Sequence, residues 1–321
     1  MEQPIIENTL SFVIPCYRSE KTIEKVCLEI KETVQQRPEY DYEIIAVNDC
    51  SPDGVLGVLR RLAAADKRIR VVDLAKNFGK HSAMMAGFSC VRGEYVVNLD
   101  DDSQCPLEQL WELMDAITEE DYDCATAVYA EKKEVLWKRI GRRITTCLSD
   151  ILIEAPKGLR TENFFVFKRY VCEEIMRYPN PYPFVNGLLL RTTHRIKMIP
   201  MEERVRGDDK ATGFTLKKSV SLFTNAMTAF SVKPLRIATL LGVAFALLGF
   251  VYGLFIIIRK LAHPEVMMGY SSLMAVQLFS SGIVMLLLGV IGEYIGRIYI
   301  SLNRAPQYVV RETINMDGEH E

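Results

Sequence analysis

The chain has few of the signatures that usually identify a protein. No Cys-x-x-Cys pair occurs among its eight cysteines, all of which lie between Cys16 and Cys172. That argues against a zinc ribbon or a disulfide framework and fits reduced thiols in a cytosolic domain. No Gly-x-Gly-x-x-Gly is present, and Gly79-Lys80-His81-Ser82 lacks the upstream glycine of a phosphate loop. The two commonest glycine-rich nucleotide motifs are therefore excluded, although a nucleotide is not. Neither charge dominates: 39 Lys and Arg against 41 Asp and Glu leave a net charge of -2. With only local basic patches, nucleic acid is not an expected partner.

Charge is also missing locally. Ile237–Ile258 and Leu273–Gly292 contain no charged residue, and each is about 20 residues long, enough to span a bilayer core. Two transmembrane helices fit this pattern better than a buried pair in a soluble core. Neither segment is N-terminal, so neither reads as a signal peptide. A hairpin leaves the N-terminal region and the tail on one side of the membrane. Lys233, Arg236, Arg297 and Arg304, set against Arg259 and Lys260 in the connecting loop, favour the cytoplasmic side. The predicted organisation is a domain over residues 1–214, a juxtamembrane amphipathic helix over 215–236, spans over 237–258 and 273–295 joined by a loop over 259–272, and a cytoplasmic tail over 296–321.

Up to about Tyr129, β-type runs alternate with helical patterns, as in a mainly parallel sheet covered by helices. The expected strands are Ser11–Ile14, Tyr42–Val47, Arg70–Leu74, Tyr95–Leu99 and Cys124–Val128. Stripes such as Ile23, Val26, Cys27, Ile30, Val34 and Leu107, Leu110, Trp111, Met114, Ile117 are core faces of helices. Lys138 to Ile153 and Thr215 to Phe230 read as amphipathic helices, suited either to a membrane surface or to packing on the domain.

Polar residues interrupt the pattern just after strands, at Pro15-Cys-Tyr17, at Asn48-Asp-Cys-Ser51 and at Asp100-Asp-Asp-Ser-Gln104. Carboxyl ends of strands line the ligand crevice in open α/β sheets, so the three loops are expected to meet on one small molecule. Three adjacent carboxylates repel one another unless a cation or water relieves them. A divalent-metal site and an N-cap for a helix starting near Pro106 are both open readings of that cluster.

Taken together, Val13-Ile-Pro-Cys-Tyr17, Glu43 to Asp53, Asn77-Phe-Gly-Lys80, Asp100 to Pro106 and Gly292-Glu-Tyr-Ile-Gly-Arg-Ile-Tyr299 resemble family 2 glycosyltransferases acting on polyisoprenyl phosphates. That group includes dolichol-phosphate mannose synthases and bacterial undecaprenyl-phosphate sugar transferases. The resemblance implies a GT-A-like nucleotide-sugar-binding domain, interfacial helices and a two-helix membrane hairpin. It implies Mg²⁺ or Mn²⁺ held by Asp100, Asp102 and Gln104, with Asp101 in the variable middle place of the cluster. Pro15, Tyr17, Glu20, Asp49 and Ser51 fall on the nucleoside side. Lys80 falls near the diphosphate, and Asp101 counts among the substrate-side residues. Arg204, Arg206 and Lys210 precede Thr212-Gly-Phe-Thr215 and match a basic loop that meets the acceptor phosphate.

The implied partners are a UDP- or GDP-linked sugar, a polyprenyl phosphate and the membrane, with a homo-oligomer through the membrane helices left open. The implied location is the bacterial inner membrane, multi-pass, with the catalytic domain facing the cytoplasm. The implied reaction inverts the anomeric centre, and a lipid monophosphate whose second pKa is about 6 needs no dedicated general base. Asn48 and Cys50 depart from the two aspartates and glycine of relatives, and Arg18-Ser19 replace a common Asn-Glu. The missing carboxylate motivates one alternative, a membrane-anchored sensor that binds nucleotide sugar without transferring it.

Overall fold

The computed structural model describes residues 5–129, 162–202, 204, 233–262, 270–303 and 305–316. Arg206, Lys210 and both expected amphipathic helices lie outside the described residues. The strands are β1 (Ile6–Cys16), β2 (Asp41–Asn48), β3 (Ile69–Leu74), β4 (Gly93–Asn98), β5 (Cys124–Tyr129), β6 (Phe165–Lys168), β7 (Ile196–Met201) and β8 (Val310–Ile314). Helices α1 (Ile23–Val34), α2 (Val55–Ala65), α3 (Lys80–Phe88), α4 (Leu110–Thr118), α5 (Arg169–Met176) and α6 (Val185–Thr192) belong to the same unit. The long helices α7 (Lys233–Ala262) and α8 (Tyr270–Leu302) follow.

All eight strands form one sheet in the order β7-β5-β6-β4-β1-β2-β3-β8. β1, β2, β3 and β4 pair in parallel, and β6 and β8 run against their neighbours. The expected α/β, mainly parallel architecture is present. β2 and β3 are buried along almost their whole length, as parallel strands covered on both faces are, and the Glu43 and Arg70 they carry are enclosed as an ion pair at 2.6 Å. The chain builds outward from β1 to β2 and β3, then returns to place β4 on the other side of β1. That reversal opens a crevice at the carboxyl ends of β1 and β4.

The core lies between this sheet and its helices, with Phe12, Ile14, Ile30, Ile44 and Leu59 fully or almost fully enclosed. Helix α3 lies close on the sheet because Gly87 has no side chain: a Cβ there would stand 2.4 Å from Val13 Cγ1 and 3.2 Å from Val47 Cγ2. Alanine at this position gains about 1 kcal/mol of helix propensity, but overpacking costs roughly 1–3 kcal/mol. Gly87→Ala should therefore lower stability, and Gly87→Val more so, read as a fall in thermal midpoint of the detergent-purified protein.

Two regions went beyond the sequence pattern. The stretch without clear periodicity supplies β6, α5, α6 and β7. The residues after the second apolar helix supply β8, which pairs with β3. Helices α7 and α8 contain windows Ala238–Phe255 and Phe279–Gly296 with mean hydropathy 2.1 and 1.7, both long and apolar enough to cross a membrane. They touch each other through Phe245 and Phe279, whose ring centroids are 5.7 Å apart.

Candidate functional site

The loops leaving β1, β2, β3 and β4 converge as the strand order requires, and each turns on a residue with positive φ: Arg18 (61°), Cys50 (48°), Gly79 (90°) and Ser103 (58°). Three of these are not glycine, and left-handed backbone at ordinary residues gathers where a site over-determines it.

The aspartate cluster is divided by its partners. Asp100 is ion-paired with Lys80, the first residue of α3, and its other oxygen accepts from Asn163 Nδ2 at 3.0 Å. Asp101 turns inward, where its Oδ2 accepts the Tyr17 N–H at 2.9 Å and its carbonyl accepts the Thr22 hydroxyl at 2.5 Å. Burial raises its carboxyl to about 6; the Ser19 hydroxyl and the Tyr17 amide pull the other way, and Asp100 and Asp102 push it further up. These contacts join the first and fourth loops. Asp102 Oδ1 accepts the Gln104 N–H at 3.2 Å. The helix-cap reading is not realised, since neither the turn at Leu107–Gln109 nor α4 has a side-chain cap. Mutual repulsion is relieved instead by Lys80, Asn163 and backbone amides.

The nucleoside-side residues form a second connected group. Asp49 is 3% exposed, and its two oxygens accept the Phe78 and Gly79 N–H groups at 2.7 and 2.9 Å. Burial raises its carboxyl and those two amides hold it down. Asp49 thus shapes the loop that carries Lys80. Ser51 accepts the Arg18 N–H at 2.7 Å, and Glu20 accepts the Gly54 N–H at 3.0 Å. Pro15 lies within β1, opposite Val47. The Tyr17 side chain is 43% exposed at the rim, with the Arg18 guanidinium carbon 5.4 Å from its ring centre.

Arg204 departs from expectation. Its N–H donates to the Gln104 carbonyl at 3.2 Å, which sets it beside the acidic loop, but its guanidinium is held by Glu29 at 2.7 Å and by Glu108. Two carboxylates already occupy it, so it is not poised for an acceptor phosphate. Sequence reasoning also missed Asn163 and His81. Asn163 lies 63 residues along the chain from Asp100, in the stretch without periodicity.

His81 follows Lys80. Its Nδ1 accepts the Val185 N–H at 3.4 Å and its ring packs edge-on to Phe184 at 5.1 Å. Burial lowers its pKa to about 4, helped by the Lys80 charge and opposed by Asp100. Because the folded value lies below the ordinary one, its stabilising contribution is fully present above about pH 6.5 and is lost as pH falls through about 4, by at most about 3 kcal/mol. His81→Gln should shrink the loss of thermal midpoint between pH 7 and pH 4.5.

Among the described residues no group of three or more His, Cys, Asp or Glu gathers as a metal cage. Mg²⁺ is commonly held by one or two carboxylates, with substrate phosphates and water completing the shell. Asp102 and Gln104, hard oxygen donors on one turn, fit such a half-site. Asp100 fits less well, since Lys80 and Asn163 already use its oxygens.

Comparison with known proteins bears on the fold and the family. The description "Glycosyl transferase family 2" matches residues 11–176, and "GtrB C-terminal hairpin" matches residues 233–298. The Bacillus subtilis (strain 168) glycosyltransferase YkcC is 34% identical over 96% of this chain and 95% of its own. The bactoprenol glucosyl transferase of Shigella phage SfII is 30% identical over 95% of this chain and 98% of its own. Among solved structures, glucosyl-3-phosphoglycerate synthase from Mycobacterium tuberculosis, in complex with Mn²⁺, uridine diphosphate and glucosyl-3-phosphoglycerate, shares the fold. Its TM-score is 0.50 at 21% identity, covering 69% of this chain and 78% of that one. The crevice, the loops around it and an end-to-end match to enzymes of this kind lead to one conclusion: the chain belongs to glycosyl transferase family 2.

Proposed function

We propose that the enzyme moves a sugar from a UDP- or GDP-linked donor to polyprenyl phosphate, undecaprenyl phosphate in a bacterium, with inversion at the anomeric carbon. The observation that carries this reading is the near-complete match, hairpin included, to relatives named bactoprenol glucosyl transferase. A water-soluble donor and an acceptor confined to lipid call for a nucleotide-binding α/β domain on a membrane anchor. The catalytic domain then faces the cytoplasm, where nucleotide sugars are made.

Asp102 and Gln104 would hold a divalent cation, Mg²⁺ or Mn²⁺, which when bound supplies Lewis-acid compensation of the departing diphosphate. Lys80 brings a second positive charge to the same side, and Asp100 with Asn163 fixes the direction of its ammonium. Tyr17, with the Glu20 and Ser51 loops behind it, lines the nucleoside end. The acceptor phosphate is largely dianionic at neutral pH, so the chain's task is to orient it and offset its charge rather than to deprotonate it. With Arg204 committed to Glu29 and Glu108, that task falls to Arg206 and Lys210. The sensor alternative loses its motive, because Asn48 donates to the buried Asp73 at 2.7 Å, a place a second carboxylate could not fill.

Membranes containing the protein, incubated with a panel of nucleotide sugars and undecaprenyl phosphate, should yield a polyprenyl-phosphate monosaccharide identified by mass. Release of free sugar without a lipid product would sink the proposal.

A further inference from the structure

Asn48 closes β2 at the edge of the crevice, and the sheet shows what it does there. Cys16, Asn48 and Asp73 are in register on β1, β2 and β3, and Glu312 of β8 continues the row. Asn48 Nδ2 donates to Asp73 Oδ1 at 2.7 Å, while Asn48 Oδ1 accepts the Ser51 N–H at 3.1 Å. Asn48 is 3% exposed and Asp73 1%. A second carboxylate at position 48 would face the first with little water between them. The cation that reaches Asp73 comes from the far end of the chain: Arg311 Nη1 lies 3.4 Å from Asp73 Oδ2, and Arg311 Nη2 donates to the Ala75 carbonyl at 2.9 Å. Beyond Asn48, Ser51 Oγ donates to Asp53 at 2.6 Å and accepts the Arg18 N–H, and Asp53 accepts the Glu20 N–H at 3.0 Å. One path of polar partners therefore runs from β8 to the rim at Tyr17 and Glu20.

We propose that Arg311 is a positioning residue for the nucleoside end of the donor. From the strand that follows the membrane hairpin, it holds Asp73 against Asn48 and so fixes the Asn48–Ser51 turn and the Arg18 backbone behind the nucleoside. This rests on the nucleotide-sugar reading above. The grip is the same before and during transfer, so its loss raises KM and leaves kcat alone.

In the full-length detergent-purified enzyme, Arg311→Gln should raise KM for the nucleotide sugar about tenfold, the scale of one charge-assisted hydrogen bond, with kcat within about twofold of wild type. Arg311→Lys should recover most of that loss. Asn48→Asp should raise KM as well, and adding Asp73→Asn to it should bring KM back down by restoring one amide and one carboxylate. Calorimetric titration with UDP and GDP should show the same order of affinities. An unchanged KM in Arg311→Gln overturns the inference, as does a fall in kcat at constant KM, which is the mark of a stability role alone. A wild-type protein that neither binds these nucleotides nor transfers sugar overturns the functional reading itself, and with it this inference; that result is read without any variant.

Discussion

Asp102→Asn should abolish most sugar transfer while leaving the protein folded. Asparagine keeps an oxygen that accepts the Gln104 N–H, so the turn that Asp102 caps at 3.2 Å survives the change. What is lost is the negative charge proposed to hold a divalent cation. Charge compensation of this kind contributes several kcal/mol to the transition state, so the expected fall in kcat is on the order of 10²- to 10⁴-fold. Asp101→Asn provides the contrast: its carboxylate serves the Tyr17 amide, an asparagine oxygen accepts that bond equally well, and most activity should remain. The measurement is transfer of radiolabelled sugar to undecaprenyl phosphate, with thermal midpoints confirming the fold. Near-normal turnover by Asp102→Asn would remove it from the metal site.

Lys80→Ala should be nearly as damaging. The Lys80–Asp100 pair is partly open to water, with side chains 36% and 24% exposed, so breaking it costs folding no more than about 1 kcal/mol. If Lys80 stands beside the departing diphosphate as proposed, removing its charge costs about 10²- to 10³-fold in rate. The two magnitudes separate a functional from a structural lysine. Turnover should collapse with a thermal midpoint close to wild type, and Lys80→Arg should retain part of the activity. Equal and modest losses in both would mean that Lys80 only supports the loop.

The architecture up to β5 was legible because its strands are apolar and bounded by polar turns, and because Ile23 to Val34 and Leu107 to Ile117 repeat at helical spacing. The crevice was legible for the same reason, since loops after parallel strands have to meet. Individual roles were less so. All three aspartates look alike in sequence, and only Lys80, Asn163 and the Tyr17 amide distinguish them. Asp49 and Arg204 carry the right chemistry for ligands, but backbone amides and carboxylates from distant segments had already claimed them. β6 was hidden because four residues are too few to show a period. β8 was hidden because it follows a long apolar helix, after which a polar tail is the ordinary expectation.

The place of β8 also fixes an arithmetic of crossings. Its ladder with β3 runs through Val71, Val72, Asp73 and Leu74, while α7 and α8 lie between β7 and β8 along the chain. A hydrogen-bonded ladder cannot form across a bilayer, so any crossings of a membrane between Met201 and Val310 must be even in number, zero included. If α7 and α8 are the segments that cross, one spanning and the other left in water is forbidden by parity. On that condition the sheet edge acts as a check on topology, closing only when both helices have inserted or neither has.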